Sequence, residues 1–437
     1  MSESTSSLSG RGIDGISVRG YKSLYEECSI EVRPLTILAG ANSSGKSSIM
    51  QPLLLLKQTL EATYDPGALL LNGPNVKFTS VDQLLSKVSG KNDTDSFTIK
   101  IEIDDEDEFL ISTFAKQPKQ GIQVINSTYH LYNNTFYEDI PISLGMNHQE
   151  VAKILPVFME WEEDEFPEWG WEVSMVRGFL ELAKNDGSFS FVYSKFSSLF
   201  QGHIRQLIHV PGLRGNAERN YNTTAVGSEF PGTFENYVAS IINHWQNREN
   251  NRIIQLETYL KKVGLTNKID AQKINDVQIE LRVGRLPHST EAEDMVSLAD
   301  VGFGVSQTLP VLVALLVAEP GQLVYLEQPE IHLHPRAQAS LAEILADAAN
   351  RGVRVVVETH SELLLLAIQS LVAEGKILPE LVKLNWFIRG EDGITKVSSA
   401  DLDEAGAFGD WPEDFGDVSL KLENRYLNAA EAHLWKR

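Results

Sequence analysis

The sequence is short of cysteine, of long apolar runs and of basic charge. Cys28 is the single cysteine among 437 residues. This excludes an internal disulfide and a cysteine-rich zinc site, and we expect a reducing, cytoplasmic setting. The longest apolar run lies around Leu309–Val317 and is too short to cross a bilayer, so we expect no membrane association. Lysine and arginine number 38 against 60 aspartate and glutamate residues, and the net charge is −22. That balance argues against a surface coated with phosphate-binding residues, although a local basic groove remains compatible with it.

Residues Gly40–Ser47 read Gly-Ala-Asn-Ser-Ser-Gly-Lys-Ser, which is a complete G-x-x-x-x-G-K-S phosphate loop. It lies between a predicted buried strand, Leu35–Ala39, and a predicted helix, Ile49–Leu60, which is the context that the motif requires. Backbone N–H groups of such a loop surround phosphate oxygens, and the helix points its positive end at the same anion. We expect Lys46 to reach the β and γ phosphates and Ser47 to hold Mg²⁺. The expected nucleotide-binding residues of this loop are Gly40, Asn42, Ser43, Ser44, Gly45, Lys46, Ser47 and Ser48.

The chain is too long for one compact core of ordinary size, so we expect two lobes or one domain with a large insertion. Alternating segments at Phe97–Ile103, Phe109–Phe114 and Gly121–Tyr132 predict an antiparallel sheet beside the nucleotide core. Helical spacing marks Phe234–Trp245 and Ile253–Val263. The Ser-rich start lacks the features of a signal peptide. The expected units are a disordered tail (1–11), half of a nucleotide-binding head (12–149), an inserted helical arm (150–268), the other half of the head (269–399) and a C-terminal segment (400–437).

Two further strands are predicted to end in polar residues beside the phosphate loop. The apolar run ending at Leu326 is followed by Glu327, and a carboxylate at the carboxyl end of such a strand can hold Mg²⁺ directly or through water. The strand Val353–Glu358 leads to His360, which can sense the γ phosphate. A packing role is the commoner one for a histidine taken alone.

The segment Gly302–Gln307 is rich in small residues and precedes a predicted apolar helix, Thr308–Val317. Like the phosphate loop, it offers backbone N–H groups at the start of a helix. One nucleotide cannot easily use both sites of a single chain, so this arrangement favours a second copy of the chain as a partner.

Together these motifs resemble the ABC-type ATPase heads of the SMC, DNA-repair and OLD-like group. The similarity is greatest to stand-alone bacterial AAA-type ATPases of that group, of the kind found in antiviral defence operons. It rests on Glu-Gln-Pro-Glu-x-His-Leu-His-Pro from Glu327, Glu-Thr-His-Ser-Glu from Glu358, Pro-x-Leu-Arg at Pro211–Arg214 and a Trp-Pro segment at Trp411. The resemblance implies an α/β fold, an ABC/SMC-type P-loop ATPase head with an antiparallel β subdomain and an inserted helical arm.

The resemblance also implies roles for individual residues. Lys46 and Ser47 would bind phosphate and Mg²⁺, with Glu327 as the acid on the Mg²⁺ side. Gly304, Ser306 and Gln307 would contact the γ phosphate of ATP held by the opposite subunit. The residues implied in catalysis are Glu327, Gln328, Glu330 and the switch histidine His360.

One departure from the family pattern affects the expected chemistry. Gln328 stands where many such heads have the glutamate that orients the attacking water, and an amide cannot accept a proton. Losing a general base costs a factor of about 10² to 10⁴ in rate. Either Glu330 takes that role, or hydrolysis is slow and ATP holds the paired form closed.

The leading hypothesis is therefore an ATP- and Mg²⁺-dependent ATPase that forms a homodimer or higher homo-oligomer. It would control a separate effector protein, a nuclease or a toxin, in bacterial antiviral defence. The alternative is a repair or recombination ATPase that clamps DNA, and a transporter motor is the least favoured reading. The basic residues proposed to line a DNA groove are Arg205, Arg214, Arg219, Arg248, Arg252, Lys261 and Lys262.

Overall fold

The computed structural model describes residues 10–103, 108–132, 137–158, 171–185, 190–193, 195–248, 250–285, 294–409, 424–428 and 430. The strands are β1 Ile13–Arg19, β2 Cys28–Glu31, β3 Leu35–Gly40, β4 Ser96–Ile103, β5 Glu108–Gln117, β6 Gly121–Tyr132, β7 Tyr137–Ser143, β8 Trp171–Val176, β9 Phe179–Asn185, β10 Ser190–Tyr193, β11 Ile208–Val210, β12 Tyr221–Asn222, β13 Ile269–Lys273, β14 Gln278–Gly284, β15 Met295–Ser297, β16 Leu323–Glu327, β17 Arg354–Glu358, β18 Val382–Arg389 and β19 Thr395–Asp401. The α-helices are α1 Lys46–Leu60, α2 His148–Phe158, α3 Lys195–Gln206, α4 Val238–Asn247, α5 Asn251–Lys262, α6 Phe303–Val317, α7 Pro335–Asn350 and α8 Glu362–Ala373.

The central sheet has the strand order β11-β16-β17-β3-β18-β19, and all neighbours except β18 and β19 are parallel. Its strands are apolar on both faces because each face packs against its own hydrophobic core. On β3, Leu35 and Ile37 enter one core while Leu38 enters the other. Since parallel strands end at the same edge, the residues that follow β3, β16 and β17 are brought together there.

An antiparallel six-stranded sheet, β2-β1-β4-β5-β6-β7, lies against the second core. The predicted strands Phe97–Ile103, Phe109–Phe114 and Gly121–Tyr132 correspond to β4, β5 and β6. Their alternating buried and partly exposed residues follow from a sheet that is packed on one face.

The region 150–268 differs from the predicted helical arm. It contains helices α3, α4 and α5, but β8, β9 and β10 form a three-stranded antiparallel sheet. Within the same region β11 is a strand of the central sheet, and residues of α4 and α5 belong to its first core. The helical pattern was correct for 234–263, whereas β11 has only three residues and carries no detectable periodicity.

Parts of the expected terminal units fall outside the described residues, including most of the tail 1–11 and the segment around Trp411. In the part of the chain that the structure describes, no helix is long and apolar enough to cross a membrane.

Glu181 on β9 is a carboxylate buried between α3 and the three-stranded sheet of β8, β9 and β10, with 1% of its surface exposed. It accepts hydrogen bonds from Ser197 Oγ and from Gln201 Nε2, the latter at 3.1 Å. Burial raises its pKa to about 7, because the charged form loses its hydration.

We predict that Glu181 makes the stability of the protein depend on pH. The folded protein holds this proton more tightly than the unfolded chain, so the stabilisation is complete below about pH 4.5 and is lost as the pH rises towards 7. The contribution of Glu181 to the free energy of unfolding is at most about 3 kcal/mol. Urea denaturation should show that the free energy of unfolding falls less between pH 5 and pH 8 for Glu181→Gln than for the wild type. The exposed Glu172→Gln on the same sheet is the control. Identical slopes for wild type and Glu181→Gln would contradict the assignment.

Candidate functional site

The phosphate loop connects the end of β3 to the start of α1. Helix α1 begins at Lys46, about one turn before the predicted start at Ile49. Gly45 adopts φ 101°, and a Cβ there would lie 2.6 Å from Thr395 Oγ1, so only glycine fits. Lys46 Nζ donates to the carbonyls of Gly40 at 2.9 Å and Ala41 at 2.8 Å. Burial lowers the pKa of Lys46, and the nearby carboxylates of Glu358 and Glu330 oppose that shift. The lysine is therefore folded back over the loop and bound to its carbonyl groups.

A cavity of about 490 Å³ opens over the loop. Its lining includes residues Ser43–Ser48 of the loop, among them Lys46, and three further cationic side chains, from Lys22, Lys87 and Arg389. Two acids, Asp82 and Glu358, also line it, and the excess of positive charge suits a polyphosphate. Sequence analysis did not identify Lys22 or Arg389 because the fold, not their spacing, brings them to the loop.

Glu358 is the acid that contacts the phosphate loop. Ser47 Oγ donates to Glu358 Oε2 at 2.7 Å, and the Tyr325 hydroxyl donates to the same oxygen at 3.0 Å. Burial raises the pKa of Glu358, and the charge of Glu327 adds to this, against the hydrogen bonds and Lys46. Sequence analysis missed Glu358 as a site residue. The signal was present, since Glu358 ends a strand just as Glu327 does.

Glu327 lies one strand further from the loop, because β17 runs between β3 and β16. It is paired in register with Glu358. Its Oε1 is hydrogen-bonded to His209 Nε2 at 3.2 Å, and its Oε2 accepts from the backbone N–H of Gly212 at 3.0 Å. Burial alone would raise the pKa of Glu327, but these bonds and the charges of His209 and Arg214 lower it. Glu327 is thus beside the predicted metal site, with Glu358 nearer to Ser47.

Glu330 and the backbone N–H of His360 are in contact next to the loop. Glu330 Oε1 accepts from Thr359 Oγ1 at 2.6 Å and from His360 N–H at 3.0 Å. Among the described residues its other oxygen, Oε2, is buried without a partner. Burial and the charge of Lys46 lower the pKa of His360, while a hydrogen bond with the backbone of Gly40 opposes them. Gln328 has φ 44° and donates its N–H to the carbonyl of Glu358 at 2.7 Å.

The second predicted phosphate contact needs a correction. Helix α6 begins at Phe303, five residues before the predicted start, with Gly302 at its N-cap. Ser306 is therefore inside the helix and only 9% exposed, and its hydroxyl donates to the carbonyl of Phe303 at 3.2 Å. Gln307 Nε2 donates to the carbonyl of Gly215 at 3.0 Å. The outward-facing groups are the backbone of Gly302–Gly304 and the exposed Phe303 ring, not the side chains of Ser306 and Gln307.

Four of the seven basic residues proposed for a DNA groove have hydrogen-bond or acidic partners within the protomer. Arg214 is buried, and its guanidinium donates to backbone carbonyls. The other residues with acidic partners are Arg219 with Asp300, Arg252 with Glu319 and Lys262 with Glu343. These partners reduce the positive charge that this surface would offer to DNA, so the structure supports a DNA-binding groove less than the sequence did.

Two family models match consecutive parts of the chain. Residues 12–173 match the model described as "AAA ATPase domain". Residues 159–367 match the model described as "AAA domain, putative AbiEii toxin, Type IV TA system".

A curated relative and several solved structures are also similar. The Old nuclease of Escherichia phage P2 is 25% identical over 199 residues, which cover 37% of this chain and a third (33%) of that protein. An SMC head bound to the C-terminal winged-helix domain of ScpA is 14% identical, with a TM-score of 0.50 and coverage of 90% of this chain and 99% of that chain. An SMC head from Pyrococcus furiosus, solved with the C-terminal domain of ScpA, has 11% identity, a TM-score of 0.47 and coverage of 90% and 97%. The similarity to the first of these SMC heads, at a TM-score of 0.50, confirms the predicted ABC/SMC-type P-loop fold.

Proposed function

We propose that this chain, which has the fold of an ABC/SMC-type P-loop ATPase head, binds ATP with Mg²⁺ and hydrolyses it slowly while paired with a second copy. The proposal rests on one observation above all. Lys46, Ser47, Glu358, Glu330 and His360 converge at the edge of the sheet where β3 and β17 end. The matches to AAA ATPase models independently indicate a nucleotide-binding domain.

The phosphate groups would be bound by the loop and by the basic side chains around it. Loop N–H groups and the start of α1 would receive the β phosphate, and Lys46 would exchange its carbonyl partners Gly40 and Ala41 for phosphate oxygens. Lys22 and Arg389 line the same cavity and would neutralise further negative charge. The remaining loop side chains that we assign to nucleotide binding are Asn42, Ser43, Ser44 and Ser48.

The metal side of the site would be formed by Ser47, Glu358 and Glu327. Hydroxyl and carboxylate oxygens are the ligands that Mg²⁺ prefers, and the Ser47–Glu358 contact already places two of them together. When bound, the ion would neutralise negative charge on the phosphate groups. Glu327 would join directly or through water, while its carboxylate is also hydrogen-bonded to His209 and to the N–H of Gly212.

Glu330 is the residue that we assign to proton transfer. Water would attack the γ phosphorus, the bond to the bridging oxygen of ADP would break, and the water proton would pass to the unpartnered oxygen of Glu330. Gln328 can orient the water but cannot take its proton. His360, hydrogen-bonded to Gly40 and close to Lys46, would report whether a γ phosphate is present.

Pairing with a second copy is supported by the exposed start of α6. Free N–H groups there attract an anion, and a γ phosphate held by the partner's loop supplies one. In this arrangement Gly304 contributes its backbone. Ser306 and Gln307 support the helix from inside.

A separate effector, a nuclease or a toxin, remains our proposal for the partner, and antiviral defence for the setting. They are supported by resemblance alone, to the Old nuclease and to the AbiEii-type family model. The alternative, an ATPase that clamps DNA, is favoured by the Old nuclease similarity and weakened by the paired arginines. Duplex binding that falls steeply with salt would favour the alternative.

Lys46→Ala should reduce ATP turnover by at least about 100-fold, because the cavity loses the charge nearest the transferred phosphate. The measurement is steady-state phosphate release. The exposed Lys261→Ala on α5 is the matched control and should hydrolyse ATP like the wild type. Equal rates for wild type and Lys46→Ala would exclude this site as the ATPase centre.

Glu358→Gln should lower the affinity for the metal ion and leave the affinity for the nucleotide unchanged. We expect the affinity for Mn²⁺, titrated by electron paramagnetic resonance into the ADP-bound protein, to fall by about 10- to 100-fold. Metal-free ADP binding should stay close to the wild-type value. The exposed Glu380→Gln is the control. An unchanged Mn²⁺ affinity in Glu358→Gln would remove Glu358 from the metal site.

Glu330→Gln should slow hydrolysis at saturating ATP by about 10²- to 10⁴-fold while ATP still binds, because the general base is lost. Gln328→Glu adds a second carboxylate beside that of Glu330, so we expect it to accelerate hydrolysis by less than about 10²-fold. If Glu330→Gln turned over at the wild-type rate, Glu330 would not be the proton acceptor.

A further inference from the structure

A second cavity, of about 310 Å³, shares no lining residue with the cavity over the phosphate loop. It lies between the segment that follows β11, the 3₁₀ turn Phe234–Tyr237, strand β14 and helix α6. Ligand-binding pockets begin at about 300 Å³, so the cavity has room for a small molecule. Its apolar wall is formed by Ala217, Val238, Leu281, Leu298, Leu309 and Pro310.

Three side chains on the wall of this cavity each keep a buried polar atom that has no hydrogen-bond partner among the described residues. These atoms are Arg214 Nε, Thr224 Oγ1 and Glu235 Oε1. Arg214 is itself only 8% exposed. A buried polar group without a partner is costly, and native proteins leave few of them. Three such atoms at one cavity indicate that its occupant is polar.

The partners of Arg214 and Glu235 restrict the chemistry of that occupant. Arg214 already donates from Nη1 to the carbonyl of Gln307 at 3.1 Å and from Nη2 to the carbonyl of Glu327 at 3.0 Å. Its fork is therefore not free to grip a carboxylate or phosphate with two parallel bonds, and Nε remains as a single donor. Glu235 is hydrogen-bonded to the backbone of Gly215, which leaves Oε1 as an acceptor. The two buried charges are opposite, so a neutral ligand adds no uncompensated charge.

Tyr221 adds an aromatic ring to the wall. Its hydroxyl accepts a hydrogen bond from the N–H of Glu218 at 3.1 Å, which anchors the ring. The side chain of Glu218 also lines the cavity but is exposed, so water and salt screen its charge. Aromatic rings stack on flat ligands, including every nucleobase. The wall thus combines a stacking surface with separate donor and acceptor groups.

We propose that this cavity is a second ligand site, which binds a nucleobase by its polar edge. A nucleobase is neutral and flat, and its edges carry N–H donors beside oxygen or nitrogen acceptors. In the complex, Glu235 Oε1 accepts from an N–H of the base and Arg214 Nε donates to an acceptor of the base. The Thr224 hydroxyl makes a third hydrogen bond, and Tyr221 stacks on the ring. The site goes beyond the proposed function, because it needs neither the phosphate loop nor ATP hydrolysis.

Equilibrium dialysis of the full chain against radiolabelled uridine, cytidine, guanosine and adenosine, one at a time, tests the site. Nucleosides carry the base but lack the phosphate groups for which the loop is suited. We expect at least one of them to bind with a Kd of about 10⁻⁴ M or below, which a ligand of about 20 non-hydrogen atoms can reach. No binding of any of the four at about 1 mM would overturn the proposal and would leave water as the occupant.

Variants locate the bound nucleoside. Thr224→Val keeps the shape of the side chain but removes the hydroxyl, and should weaken binding about fivefold. Thr223→Val is the matched control, since Thr223 is exposed and absent from the wall, and should bind like the wild type. Ala217→Phe fills the cavity from a half-buried position and should weaken binding by more than about 50-fold.

Two results would place the nucleoside elsewhere and overturn the proposal. One is wild-type affinity in a folded Ala217→Phe protein, and the other is equal affinity in Thr224→Val and Thr223→Val. The second comparison also decides if Ala217→Phe fails to fold. Nucleoside binding by a wild type that hydrolyses no ATP would reject the proposed function and leave this site standing.

Discussion

The hydrogen bond between Ser47 and Glu358 is the contact on which the site depends. It joins the first turn of α1 to the carboxyl end of β17, across the edge of the central sheet. The strand order makes it possible, because β17 lies directly beside β3 and places Glu358 opposite Leu38. Glu327, one strand further away, is paired with Glu358 and reaches the segment 209–215 instead. The two acids thus have different neighbours. Glu358 contacts the phosphate loop, and Glu327 contacts the segment 209–215.

Burial of these acids explains why their surroundings are so extensively hydrogen-bonded. A carboxylate taken out of water must be compensated, as Glu358 is by Ser47 and Tyr325. Glu330 is compensated at Oε1 by Thr359 and by the N–H of His360, while among the described residues its Oε2 has no partner. Lys46 lies within reach of both charges, and its lowered pKa records its own burial. The network fixes the side chains before any ligand arrives, which is the condition for electrostatic stabilisation of a transferred phosphate.

Local signals in the sequence predicted the elements that depend on local physics. The phosphate loop follows from glycines at fixed spacing, and the antiparallel strands follow from alternation. The surroundings of Glu358, which was missed, and of Arg214, which was expected in a DNA groove, depend on strand order or on tertiary contacts. Glu358 became a site residue because β17, not β16, neighbours β3, and Arg214 is buried by contacts about 90 and 110 residues away. Ser306 was misplaced because Gly302 caps α6 earlier than the run of small residues indicated.

Pairing around ATP is the central claim, and the mass of the particle in solution tests it most directly. Light scattering of Glu330→Gln, in which bound ATP should persist, would be measured without nucleotide, with Mg²⁺-ADP and with saturating Mg²⁺-ATP. The account predicts a particle of twice the starting mass with ATP only, and no change when Lys46→Ala is combined with Glu330→Gln. A mass unaffected by ATP, at a concentration where binding of the nucleotide has been measured independently, would contradict it.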